Sequence, residues 1–335
     1  MINIRNISLF GGLFAIVVIA LGAWTRLVDA GLGCPDWPGC YGFVTFPITD
    51  SEIALAESRY PTFPYEIDKA IPEVVHRYFA AMLGLIAIFL VFFAIRYKVD
   101  SSLRNLSIFL LFFICCQGLF GYLTVSLKLL PIIVTGHLFG GFITLSLFFF
   151  IFLKAADFRF LHYIDIRKYR YLALACLIVL LVQIFLGAWT STNYASLACP
   201  DFPKCTEQWW PDNMNFDEGF TIFGLPNVNY EVNHMEYYAK LAVHFTHRVG
   251  ALLLSILFLG LFVYIFFMQK SQKIKNIGYL ILTFFSFQIY LGISNVVYSL
   301  PLNVAVLHTV NACILLMSML ILLFYSTYKV QDIRD

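Results

Sequence analysis

Four histidines in this chain stand in a pattern that suits the axial ligation of a flat iron macrocycle. His76 and His137 recur as His247 and His308 at a constant interval of 171 residues, and the same interval carries Gln117 to Gln288 and Gly121 to Gly292. A lone histidine on an apolar helix is usually a packed or hydrogen-bonded residue, but four at matched places in two repeats reverse that expectation. An ionisable residue inside a membrane helix is costly and points to function. Two opposed imidazoles at similar depth in a helical bundle can hold one haem or haem-like macrocycle between them. Arg77 and Arg248 each follow a histidine directly, where they can pair with propionates or mark the helix end. The repeats differ in one telling place. Three residues before the ligand candidate the first half has Glu73 and the second has His244, both one turn away on the same helix face. A carboxylate there can act as a base or stabilise developing positive charge.

These residues need helices to carry them, and the composition supplies membrane helices. Of 335 residues, 60% are hydrophobic and 13% charged, which describes a polytopic membrane protein. Eight runs of roughly 20 residues are long enough to cross a bilayer. They are predicted near 7–28, 74–96, 105–126, 131–153, 170–190, 241–268, 276–297 and 302–326. Gly22-Ala23-Trp24-Thr25 at the end of the first run recurs as Gly187-Ala188-Trp189-Thr190, so the first run reads as a retained helix rather than a signal peptide. Arg96, Lys98, Arg104, Lys154, Lys273 and Lys275, among others, collect on one side, which is predicted to be cytoplasmic with both termini. The expected fold is therefore an all-α membrane protein of eight transmembrane helices. They form two parallel four-helix-bundle repeats, residues 1–160 and 161–335, related by a pseudo-twofold axis along the membrane normal. A net charge of +2 gives no reason to expect a nucleic acid partner, and no Gly-rich phosphate loop supports ATP-driven transport.

The first and fifth helices run into outer loops with a shared signature, Cys-Pro-Asp-aromatic-Pro-x-Cys, at an interval of 165. Cys34 with Cys40, and Cys199 with Cys205, lie on the oxidising side, and two loop disulfides, Cys34–Cys40 and Cys199–Cys205, are expected. A zinc site from the four thiols and a redox-active dithiol at Cys34 and Cys40 are the alternatives. Cys115, Cys116, Cys176 and Cys313 fall within helices and read as packing residues. Trp209, Trp210, Phe216 and Phe220 read as an amphipathic segment on the bilayer surface or as an interfacial aromatic belt. His162 and His234 are assigned no role.

Taken together, the Cys-Pro-Asp-Trp-Pro-x-Cys loop, Glu73-x-x-His76-Arg77 opening the second helix and His247-Arg248 opening the sixth resemble the haem A synthase family over nearly the whole chain. Members of that family oxidise haem O to haem A for cytochrome oxidase assembly. The resemblance implies His247 and His308 as iron ligands of a resident haem b that carries electrons. It implies His76 and His137 facing the substrate haem O, with Glu73 beside the reacting group. The implied reaction is stepwise oxidation of the methyl at haem position 8, through an alcohol, to a formyl. The implied setting is the bacterial inner membrane, with an electron acceptor, the haem O synthase as a partner and a homo-oligomer compatible with it. Two rivals share the four histidines: a dihaem b-type cytochrome that passes electrons from quinol without altering its haems, and a haem carrier. Glu73 without a counterpart favours the synthase.

Overall fold

The computed structural model describes residues 4–156, 167–226, 228–231, 235–269 and 271–327; His162 and His234 lie outside them. Among the described residues the chain is almost wholly helical, and eight helices are long and apolar enough to cross a membrane. They are α1 (Ile4–Leu27), α3 (Ile67–Arg96), α4 (Ser101–Ser126), α5 (Pro131–Ala155), α6 (Arg167–Thr192), α8 (Tyr237–Val263), α9 (Gln272–Val297) and α10 (Leu302–Thr327). A π-helical turn, Tyr264–Met268, extends α8. Two short helices, α2 (Asp50–Arg59) and α7 (Phe216–Gly219), lie in the loops that follow α1 and α6.

Local chemistry sets most of the boundaries. Asp100 accepts from the Ser102 and Leu103 amides to start α4, and Pro131 stands at the head of α5, where its missing N–H costs nothing. Thr49 and Glu52 close α2 with a reciprocal capping box, the Thr49 hydroxyl taking the Glu52 amide and the Glu52 carboxylate taking the Thr49 amide at 2.9 Å. The loop after α1 contains a ten-residue helix. One expectation needs correction here: α3 begins at Ile67 rather than at 74, running through Pro72. That proline lies close to the helix start, where it loses only one early backbone bond, and its carbonyl accepts the Thr25 hydroxyl of α1 at 3.1 Å.

α1 packs against α3 and α5, and α4 packs against the same two, closing a four-helix group. α6 packs against α8 and α10, while α9 lies on α10. The groups meet where α1 touches α10 and α5 touches α6 and α10. Their shared core includes Ala87, Leu90, Phe148, Cys176, Phe258, Leu261 and Leu322. Close approach needs a missing side chain at Gly11, where a methyl would overlap the Phe148 ring. Thr135 and Thr192 hydrogen-bond at 3.0 Å across the α5–α6 contact, which hides two hydroxyls from the apolar interior. The tight turns after α4 and α9 use the same backbone, with positive φ at Lys128 and Leu129 and again at Ser299 and Leu300.

The 209–220 stretch does not form a surface helix. Only the four-residue α7 is helical, Trp209 and Trp210 are exposed, and Phe220 packs inward beside Trp189 and Val243. Trp189 is fully buried and donates Nε1–H to the Gly219 carbonyl at 2.8 Å, tying α6 to α7. Trp189→Phe is expected to cost about 1 kcal/mol, the net value of one hydrogen bond. Trp189→Ala adds a cavity and is expected to cost about 3–5 kcal/mol. Thermal midpoints in detergent should rank wild type above Phe and Phe well above Ala.

Candidate functional site: two histidine pairs beneath disulfide loops

His76 stands between two and three turns into α3, and His137 between one and two turns into α5. At 1.5 Å per residue that is roughly 9 to 14 Å from the N-terminal ends of these helices. The histidine of α3 is therefore deeper than a first-turn position, because the helix starts earlier than its apolar run. The two ring centres are 6.4 Å apart with planes at 90°. Two metal–imidazole bonds of about 2 Å, plus the distance from each nitrogen to its ring centre, add up to roughly that separation. The structure brings these two residues together as one iron between them would require.

Each of the four rings rests against a glycine. A methyl on Gly22 would come within 2.8 Å of His76 Cε1, and one on Gly187 within 3.1 Å of His247 Cε1; Gly121 and Gly292 stand similarly behind His137 and His308. His308 lies within electrostatic range of His247. All four histidines are only partly buried although they lie inside the helix groups, and the Nδ1 atoms of His76, His137 and His308 are covered. Partly uncovered histidines paired in an apolar interior suit ligation of an iron macrocycle, so the residues fit a haem. Gln288 donates to the His308 carbonyl at 3.1 Å and accepts from Asn311 at 2.6 Å, bracing that turn of α10.

Glu73 is 5% exposed. One carboxylate oxygen accepts the Cys34 amide at 2.8 Å and the other accepts the Arg77 guanidinium in a short contact. The loop backbone is pressed so closely on the start of α3 that a methyl on Gly33 would overlap the Lys69 carbonyl. His244 occupies the matching place in the other half. Its Nδ1 faces the Cys199 amide at 3.2 Å and its Nε2 faces the Arg248 Nε–H at 3.3 Å. A neutral imidazole has one acceptor nitrogen, so His244 satisfies only one of these donors, whereas the Glu73 carboxylate satisfies both.

The arginines are committed to the loops. Arg77 donates to the carbonyls of Asp36 at 2.9 Å and Gly39, and Arg248 to those of Cys199, Asp201 and Lys204, each at 2.8 Å. The acid of the Cys-Pro-Asp motif closes the loop from within. Asp36 accepts the amides of Tyr41 and Gly42, and Asp201 those of Thr206 and Glu207. Both cysteine pairs are disulfides, with S–S distances of 2.05 Å for Cys34–Cys40 and 1.99 Å for Cys199–Cys205. The four thiols of a zinc site are thereby consumed. Tyr41, packed beneath the first loop, donates to the Pro64 carbonyl at 2.9 Å. Burial, with Glu66 nearby, pushes its phenol up to about 12, so it stays a neutral donor.

The sequence matches known proteins along almost its whole length. Residues 5–320 match the model of the cytochrome oxidase assembly protein family, COX15-CtaA. The haem A synthase of Shewanella oneidensis is 39% identical over 317 residues, which span 94% of each chain. The chain belongs to the haem A synthase family. More distant haem A synthases align over a similar span. That of Neorickettsia sennetsu is 24% identical over 91% of this chain and 93% of its own, and that of Pelagibacter ubique 26% identical over 93% and 94%.

For this haem A synthase relative the disulfide assignment gives a direct expectation. Alkylation of the denatured, unreduced protein should label Cys115, Cys116, Cys176 and Cys313 only, and reduction should expose all eight cysteines to the reagent. Mass spectrometry reads the difference. One site residue escaped the sequence reading altogether: Gln183, whose Nε2 lies 3.0 Å from His247 Nδ1. A search for repeated residues passes over it, because its counterpart in the first half is Val18.

Proposed function

We propose that this chain is a haem A synthase that oxidises the position-8 methyl of haem O, through an alcohol, to the formyl group of haem A for cytochrome oxidase. The observation that carries this reading is Glu73, one turn from His76, whose ring centre stands 6.4 Å from that of His137. It sits in a chain aligned almost end to end with haem A synthases.

In this reading the two halves, 1–160 and 161–335, are pseudo-twofold repeats with separate tasks. His76 and His137 bind and orient the substrate haem O. Glu73, fixed by Arg77 and the Cys34 amide, places a carboxylate beside the reacting methyl, where it stabilises developing positive charge or orients water. His247 and His308 hold haem b, which when bound supplies a one-electron outlet for the oxidation. Arg77 and Arg248 support the sites by pinning the disulfide loops over them, and a propionate at either would have to displace loop carbonyls. The loops exclude water from the chemistry below. The protein lies in the bacterial inner membrane with both termini cytoplasmic and the disulfides outside. It receives haem O from the synthase that makes it and passes electrons to an acceptor, and it is compatible with homo-oligomers.

Haem analysis of the purified protein tests the proposal. One haem b per chain, with haem O or haem A in smaller amount, is the expected content. Two permanent, redox-active b haems per chain would identify a dihaem cytochrome instead.

A further inference from the structure

Resting on the reading that Glu73 stands beside the reacting methyl of haem O, we propose that the polar cleft behind Glu73 is the route by which protons leave the site, with Lys69 and Glu231 as its relay residues. Neither touches a reacting atom; both act through Glu73.

The cleft has a volume of about 520 Å³, and Gly33, Tyr41, Glu66, Lys69, Lys128 and Glu231 are among the residues that line it. A water occupies about 30 Å³ in the liquid, and the lining offers charged and polar partners, so the cleft has room for a connected group of waters. Gly33 ties it to the site. Its amide faces the Glu73 carboxylate, and the same residue lines the cleft, so one layer of loop backbone separates the two. Lys69 is the second tie, one turn before Glu73 on the same face of α3.

The Lys69 ammonium lies 3.3 Å from Glu66 Oε2 and 3.7 Å from Glu231 Oε1. Glu231 belongs to the other half of the chain. The Tyr230 amide donates to the Lys128 carbonyl at 3.0 Å and the Glu231 amide to Asn229 Oδ1 at 2.9 Å, which seats that carboxylate beside the start of α3. The Glu231 side chain is 19% exposed, and its Oε1 is covered without a hydrogen bond. Such an oxygen is costly to keep for structure alone. Burial holds the Glu231 carboxyl above the usual carboxylate range, with Lys69 and Arg26 pulling the other way and Asp29 and Glu66 adding to it. That brings it closer to neutrality, where it exchanges protons with water. The matching stretch of the second half keeps the lysine and lacks the acids: Tyr237, Lys240 and His244 stand where the first half has Glu66, Lys69 and Glu73. The acids accompany the half that holds the substrate.

The reaction needs such a route. Methyl and water give the alcohol, two protons and two electrons, and the alcohol gives the aldehyde, two protons and two electrons. The electrons pass to a one-electron oxidant. The protons have to leave an apolar interior in which an unpaired charge is costly. A carboxylate that orients water receives them at Glu73, and the waters of the cleft carry them past Lys69 to Glu231.

The test follows haem A formation in membranes from haem O-producing cells, in ordinary and in deuterated water, for wild type, Glu231→Gln and Glu231→Ala. Both variants should keep the wild-type content of haem b and haem O. Both should form haem A about 10-fold more slowly, a smaller loss than removing a group that itself takes the proton. The solvent isotope effect should rise in both, and formate, a small proton carrier that fits the space left by alanine, should restore the rate of Glu231→Ala. A wild-type rate in folded Glu231→Gln would overturn the proposal. So would a slow variant with an unchanged isotope effect, or a slow Glu231→Ala that formate does not rescue, because a merely structural latch behaves in that way. Glu231→Gln keeps the size of the side chain and decides the matter where the alanine variant does not fold. A wild type that binds haem O and forms no haem A would instead overturn the reading on which the proposal rests, and the proposal with it.

Discussion

Glu73→Gln is expected to abolish haem A formation, by on the order of 100-fold or more, while haem binding and folding persist. Glutamine keeps an oxygen for the Cys34 amide that Glu73 now accepts at 2.8 Å. Arg77 still holds the loop through the Asp36 and Gly39 carbonyls. What is removed is the negative charge one turn from His76. Glu73→His is the sharper variant, because His244 shows that an imidazole fits the same place against Cys199 and Arg248. It should preserve the loop and still make no haem A. The ratio of haem A to haem O in acid–acetone extracts measures both. Wild-type haem A from a folded Glu73→Gln protein would reduce Glu73 to a loop latch.

His308→Ala is expected to strip the second half of haem b and stop the reaction. Removing an axial imidazole should weaken haem binding by more than the 10–100-fold typical of losing a supporting residue. Gln288 and Asn311 would remain in place, since their bonds run to backbone and to each other. The purified variant should carry little haem b, with its absorbance spectrum losing the low-spin bis-histidine form. Haem O should accumulate, because the first pair, 6.4 Å apart on α3 and α5, is untouched. His247→Ala should behave alike. If His308→Ala keeps both haem b and haem A formation, the division of labour between the halves is wrong.

The eight spans were legible because each is a long apolar run, and the disulfides because a seven-residue motif occurs twice. The starts of α3 and α8 were not, since the residues around Asp68, Lys69 and Lys240 are polar and Pro72 reads as a break. Both helices nevertheless include these residues. α2 was overlooked although Thr49-x-x-Glu52 is a capping box in plain sequence. Around the site, the histidines announced themselves by repetition. The backbone carbonyls that Arg77 and Arg248 hold in the loops leave no trace in residue types. Gln183 was invisible because its counterpart is Val18, and repeats draw attention to matches.

The central claim is that this chain converts haem O to haem A. The most direct measurement is to express it with a haem O-producing synthase in cells that lack haem A, then extract and separate the haems. Haem A from the wild type, absent from the empty-vector cells and lost in Glu73→Gln, is the predicted result. A folded, haem-loaded wild type that yields haem O and haem b but no haem A would contradict it.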